Sequence, residues 1–185
     1  MVMAESDSEL SRGDAAPDFE LPGADGETYA LDDFDAGALL VAFTCNHCPY
    51  AEAKVDLLND VADEYDDCAV VGINPNDAEA YPDDSFAEMR RRVESGEIAY
   101  DAYLRDESQD VARAYGAVCT PDPFLFGDAD GTYRLAYHGR LDDALDPDSE
   151  PEEYYVYDAV EAVLAGEEVS HEDRPSRGCS IKWRE

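Results

Sequence analysis

Apolar positions along the chain follow two alternating rhythms. Unbroken runs at Ala38-Leu39-Leu40-Val41-Ala42-Phe43 and Cys68-Ala69-Val70-Val71-Gly72-Ile73 have the length and composition of strands buried on both faces. Elsewhere the spacing is helical: Ala51, Val55, Leu58, Val61 and Ala62 predict a helix over 47–65, and Phe86, Met89 and Val93 predict another. Phe19-Glu20-Leu21 and Ala102-Tyr103-Leu104 read as short strands, and 108–115 as a short helix. Phe124-Leu125-Phe126 and 133–138 predict a hairpin that turns at Asp128-Ala129-Asp130-Gly131. The last helix fills 151–164, with Tyr155, Ala159, Val160 and Val163 on one face and Gly166 at its end. Strand alternating with helix, then a hairpin and a closing helix, gives an α/β fold with a central mixed sheet and helices on both faces. Residues 1–13 are small and polar and are expected to be disordered. A single domain is expected over 14–170, followed by a tail, 171–185, packing on it.

Charge changes the picture of the surface rather than of the core. Thirteen Lys and Arg stand against 46 Asp and Glu, a formal net charge of −33 in 185 residues, which makes nucleic acid and anionic membranes unsuitable partners. Such a charge also occurs in disordered chains, but the buried-strand runs and the 12 Tyr, 6 Phe and one Trp supply a core. Apart from Lys54 and Lys182 the cations are Arg, and Asp is spread over nearly every loop and helix face. This composition resembles that of proteins from salt-accumulating, halophilic archaea, where a Debye length of about 3 Å in molar salt tolerates a dispersed acidic surface. Five cysteines with a single close pair do not form a disulfide framework, and the start of the chain has no basic or apolar leader. A reduced, cytoplasmic protein is expected, with no membrane span.

The chemistry is concentrated in Thr44-Cys45-Asn46-His47-Cys48-Pro49, where a buried strand passes into a helix. Cys45 is expected beneath the helix's unpaired N–H groups, which favour a thiolate, with Cys48 one turn on to resolve a mixed disulfide and His47 to tune both sulfurs. Half of a zinc site is the other reading of Cys-x-x-Cys. Zinc normally requires a second close pair, however, and Cys68, Cys119 and Cys179 are isolated while His138 and His171 are far apart. Cys68 opens a buried strand and reads as an inert small hydrophobe. Cys119 and Cys179 are possible resolving thiols, Cys179 because the basic tail around Gly178-Cys179-Ser180-Ile181-Lys182-Trp183 can cross an acidic surface, unless that tail only packs as a lid. The acidic stretch from Asn74 to Asp84 lacks calcium-loop spacing and reads as a solvated loop, and Arg90-Arg91-Arg92 as local ion pairing.

From Ala16 to Trp183 the chain resembles the thioredoxin-like superfamily, and within it the alkyl hydroperoxide reductase and thiol-specific antioxidant, or peroxiredoxin-like, branch. The resemblance rests on Ala16-Pro17-Asp18-Phe19-Glu20-Leu21-Pro22, the Phe43 to Pro49 block, Ala114-Tyr115-Gly116-Ala117 leading to Thr120-Pro121, and the Gly178 to Trp183 ending. It implies a thioredoxin-like fold in which Pro121 follows a cis peptide, Pro123 being the alternative, and Thr120 pairs with an extended substrate. It further implies a thiol–disulfide oxidoreductase or an antioxidant peroxidase with Cys45 as the peroxidatic residue. Either would need no cofactor, acting on a protein or small-molecule disulfide or a peroxide with an external thiol reductant such as a thioredoxin system. A non-catalytic metal- or partner-binding module on the same fold is the alternative of another class. Two departures are visible. The peroxiredoxin frame Pro-x-x-x-Thr-x-x-Cys is missing, since Ala42 and Ala38 precede Cys45 and Cys45 and Val41 precede Cys48. Thr44 and Asn46-His47 also replace the Trp and Gly-Pro that usually accompany a thioredoxin dithiol.

Overall fold

A computed structural model describes residues 2–185. The chain opens with strands β1 (Met3–Glu5), β2 (Glu20–Pro22), β3 (Thr28–Ala30) and β4 (Ala38–Phe43), then helices α1 (Pro49–Glu52) and α2 (Val55–Glu64). Strand β5 (Cys68–Asn74), helix α3 (Phe86–Glu94), strand β6 (Ala102–Arg105) and helix α4 (Asp110–Tyr115) follow. Strands β7 (Cys119–Thr120), β8 (Asp122–Ala129) and β9 (Thr132–His138), helix α5 (Tyr155–Leu164) and strand β10 (Arg177–Ser180) complete it.

The central sheet has the order β6-β5-β4-β8-β9, with β6, β5 and β4 parallel and β8 and β9 antiparallel to their neighbours. All six residues of β4 are buried because both faces of the sheet are covered. Alternation along the strand divides the core. Leu39, Val41 and Phe43 face Phe19, Tyr115, Phe124 and Phe126, while Leu40 and Ala42 face Leu58 and Val61 of α2 and Val156 and Val160 of α5. The expected mixed sheet with helices on both faces is therefore observed.

Two expectations are corrected. The helix predicted over 47–65 is two helices, interrupted at Ala53 and Lys54, where Lys54 Nζ lies 2.7 Å from both carboxylate oxygens of the buried Asp142. Of residues 1–13, expected to be disordered, Met1 lies outside the described residues, while Met3–Glu5 form β1, which pairs with β10, and the Ser8 hydroxyl donates to the Tyr115 carbonyl at 2.6 Å. Polar composition suggested fraying, but these residues have backbone partners that only the chain's far end supplies. Strand β10 lies between β1 and β7 in a three-stranded sheet beside the main one. No helix among the described residues is long and apolar enough to cross a membrane.

Candidate active site

Past Phe43 the ladder continues for one residue, the Thr44 N–H donating to the Ile73 carbonyl at 2.9 Å, and the chain then turns across the ends of β4 and β5. Thr44 is buried there. Cys45 follows, 3% exposed, with Sγ 3.3 Å from Thr120 Oγ1. Cys48 caps the N-terminus of α1, and its Sγ lies 3.5 Å from the Thr120 carbonyl oxygen. The Thr120–Pro121 peptide is cis, whereas Pro123 sits inside β8 opposite Ala42. One residue of the proline loop thus meets both sulfurs of the Cys-x-x-Cys segment.

The redox state of these sulfurs was not legible in the sequence. Cys48 is joined by a disulfide to Cys179, with the two Cα atoms 6.3 Å apart, and Cys45 is a free thiol. Cys119 is also free and buried, its Sγ near the Pro121 and Ser176 carbonyls, and Cys68 is free within the core.

The electrostatics of Cys45 differ from the sequence expectation. It lies three residues before the helix cap, and although the nearby N–H groups of His47 and Cys48 and the Thr120 hydroxyl favour the thiolate, these are outweighed. Burial, reinforced by the charge of Asp84, pushes the Cys45 thiol up to about 12. In this bridged form Cys45 is held as a thiol at neutral pH.

Asp84 is the residue that sequence reasoning missed, because the stretch from Asn74 to Asp84 was read as solvated. Residues 79–83 are exposed as expected, but the two ends of the stretch pack inward, with Asn74, Asn76 and Asp84 all buried. The Asp84 carboxylate accepts from the Asn46 N–H at 2.6 Å, Asn74 Nδ2 at 3.1 Å and Asn76 Nδ2 at 3.0 Å, and pairs with His47 Nδ1. A buried carboxylate requires such a set of donors. The one signal for it was the Asn-x-Asn spacing at Asn74 and Asn76, side chains that can donate without adding charge. His47 is stacked on Tyr81 with ring centroids 5.1 Å apart, so its ring is fixed by a carboxylate on its edge and an aromatic on its face. Asn46 completes the shell, accepting from the Tyr103 hydroxyl at 2.8 Å through its side chain and from Arg92 at 2.9 Å through its carbonyl. Arg91 and Arg92 otherwise pair with Glu88, as expected for local ion pairing.

Among the described residues, Cys45, His47 and Asp84 also present donor atoms within 4.8 Å of one another and are the group that could hold a metal ion. Three protein ligands would leave a position open on a tetrahedral ion, and the bond between His47 and Asp84 would have to be shared with it.

The role of Asp84 can be tested by Asp84→Asn, which removes the charge and keeps an acceptor. The pH at which the Cys45 thiol is half ionised, followed by its alkylation rate in the bridged protein, should fall, each unit corresponding to about 1.4 kcal/mol. If the variant and the wild type titrate together, the charge of Asp84 does not act on Cys45.

Similarity to known proteins agrees with this architecture. The sequence pattern of the AhpC/TSA family matches residues 12–137. Among solved structures, a hypothetical protein from Sinorhizobium meliloti is 41% identical with a TM-score of 0.89, the match covering 97% of this chain and 98% of that one. An uncharacterized conserved protein from Geobacillus kaustophilus is 36% identical with a TM-score of 0.90, over 100% of this chain and 97% of its own. A thioredoxin-like protein from Aeropyrum pernix, 17% identical with a TM-score of 0.59 over 80% and 89% of the two chains, shares the fold. No functionally curated protein matches the sequence. With two thirds of its length matched by the family pattern and its overall fold shared with a thioredoxin-like protein, the chain belongs to the AhpC/TSA family of redoxins.

Proposed function

We propose that the protein is a thiol–disulfide oxidoreductase in which Cys45 is the attacking nucleophile and Cys48 the resolving thiol. The observation that carries this reading is the convergence on Thr120, whose hydroxyl touches one sulfur and whose carbonyl touches the other beside the Pro121 loop. In the reduced protein the Cys45 thiolate attacks a substrate disulfide, forming one sulfur–sulfur bond to the substrate and releasing the first substrate thiolate. Cys48 then attacks Cys45 Sγ, releases the second substrate thiolate and leaves the two cysteines oxidised. Two electrons have passed from the dithiol to the substrate, and an external thiol reductant such as a thioredoxin system returns them. His47, held by Asp84, and Thr44 fix the geometry of the segment.

The experiment compares, in concentrated KCl, how fast the reduced protein consumes hydrogen peroxide with how fast it reduces hydroxyethyl disulfide and insulin. Disulfide reduction is expected to be the faster. Rapid peroxide loss that depends on Cys45 would make the protein a peroxidase, with a sulfenic acid formed on Cys45 as peroxide is reduced to water. Tight zinc binding without turnover of either substrate would favour the non-catalytic reading built on Cys45, His47 and Asp84.

A further inference from the structure

We propose that Cys179 is a third redox residue of this protein, and that β10, the strand carrying it, closes the edge at which an extended disulfide substrate pairs whenever Cys179 is bonded to Cys48. The inference rests on the dithiol reading above and adds a second resolving step and a redox-dependent latch to it.

The edge in question is β7. A short strand beside a redox-active sulfur, with free N–H and C=O groups, is a template for an extended polypeptide. Here β10 occupies it, antiparallel, with Cys179 opposite Thr120 and Ser180 opposite Cys119, and the Ile181 N–H donates to the Val118 carbonyl at 3.0 Å. The approach is close enough to require glycine before the cysteine: a Cβ on Gly178 would lie 1.9 Å from the Thr120 carbonyl oxygen. The Ser176 hydroxyl donates to the Pro121 carbonyl at 2.6 Å, and β1 covers the outer edge of β10. The chain's own strand therefore stands where a substrate strand would, with its cysteine bonded to the dithiol.

The far end of the strand is connected to the reactive group as well. The Lys182 N–H donates to Asn76 Oδ1 at 2.9 Å, and Asn76 Nδ2 donates to Asp84 at 3.0 Å, the carboxylate that faces Cys45 and His47. Gln109 Nε2 donates to the Lys182 carbonyl at 2.9 Å, and the Arg184 N–H donates to Gln109 Oε1 at 3.0 Å. A tail anchored on both sides of Cys179 presents that thiol at a high effective concentration.

The added step is an exchange without net electron transfer. After a substrate disulfide has oxidised Cys45 and Cys48 to each other, the Cys179 thiolate attacks Cys48 Sγ. The bond between Cys45 and Cys48 breaks, the bond between Cys48 and Cys179 forms, and Cys45 leaves as a thiolate that takes up the proton Cys179 gave up. The oxidised end state is one bridge between Cys48 and Cys179 with Cys45 as a buried thiol, the arrangement found in the structure. Reduction of this bridge by an external dithiol frees the strand, and the edge opens for the next substrate.

The test begins with the fully reduced full-length protein, reacted with a single equivalent of hydroxyethyl disulfide in concentrated KCl, quenched with acid, alkylated and mapped by mass spectrometry. Wild type should yield the Cys48–Cys179 bridge with Cys45 alkylated. Cys179→Ser should yield a Cys45–Cys48 bridge while releasing substrate thiol in its first turnover as wild type does. Cys45→Ser should form the Cys48–Cys179 bridge at least about tenfold more slowly, because the oxidising equivalent enters at Cys45. A wild-type Cys45–Cys48 bridge with Cys179 alkylated, in protein that still reduces the disulfide through Cys45, overturns the relay and leaves the dithiol reading standing. Equal bridging rates in Cys45→Ser and wild type would mean that the disulfide is reduced independently of Cys45, and would overturn the dithiol reading together with the relay. The latch has its own readout: hydrogen exchange of the Ile181 amide should accelerate about tenfold or more when the bridge is reduced. If exchange is equally slow in both states, β10 stays on the edge and does not gate it.

Discussion

Cys45→Ser should lower disulfide-reductase turnover by about a thousandfold or more, the loss expected when a covalent nucleophile is removed from a site whose other groups remain. A serine hydroxyl fits the same space and can keep the contact with Thr120 Oγ1, so the loss would report chemistry rather than packing. Cys48→Ser should behave differently. Cys45 can still attack, but the sulfur of the N-cap residue of α1, which sits against the Thr120 carbonyl, is gone, so a mixed disulfide between Cys45 and the substrate should accumulate after a single turnover. Intact-mass spectrometry would show it as one bound substrate half, removable by reductant. Turnover that survives Cys45→Ser, or an adduct that forms on Cys48 instead, would reverse the assigned order of the two cysteines.

The asymmetry between the two sulfurs also explains how much of the site could be read from the chain. The segment from Phe43 to Pro49 lies where periodicity changes from buried strand to helix, and that local signal placed both cysteines between the two, although Cys48 rather than Cys45 stands at the helix cap. The strands over 38–43 and 68–74, the hairpin and the final helix were legible for similar reasons, each being fixed by residues close together in sequence, whereas the cis peptide before Pro121 was an expectation from the family resemblance. What escaped depends on distant partners. Asp84 looked like one more acid in an acidic loop, and only the fold turns it inward to Asn46, His47, Asn74 and Asn76. The ionisation of Cys45 was misjudged because the N–H groups that favour a thiolate are local, whereas the burial that opposes it comes from packing across the site. Strand β1 is not legible in a small, polar chain start, since its partner, β10, lies near the other terminus of the chain. Among the thiols, Cys179 could be placed on a basic tail from sequence, but its choice of Cys48 over Cys45 needed the register of β10 against Thr120.

The unfolding midpoint should rise on the order of 10 °C or more between dilute buffer and concentrated KCl, a gain of several kcal/mol for a domain of this size. The formal net charge is −33, and the cations present are partly committed to particular sites: Lys54 to Asp142, Arg105 to the Asn74 and Asn76 carbonyls, Arg92 to Glu88 and the Asn46 carbonyl. Exposed carboxylates are left to face one another, as at Asp32, Asp33 and Asp35, at Asp60, Asp63 and Glu64, and from Asp146 through Asp148 and Glu150 to Glu153; among the described residues none of these has a cation within ion-pair distance. Their repulsion acts across spacings that salt shortens effectively, since the Debye length falls from about 30 Å at 0.01 M to about 3 Å at 1 M. The unfolded chain spreads the same charges farther apart, so screening helps the folded state more. Screening should deliver most of its gain by a few tenths molar, whereas a gain that continues linearly into molar salt would point to exclusion of salt from the protein surface. A titration of the midpoint against KCl separates the two by its curvature. Coincident melts at low and high salt would mean that the acidic surface, for all its charge, is not what limits the stability of this fold.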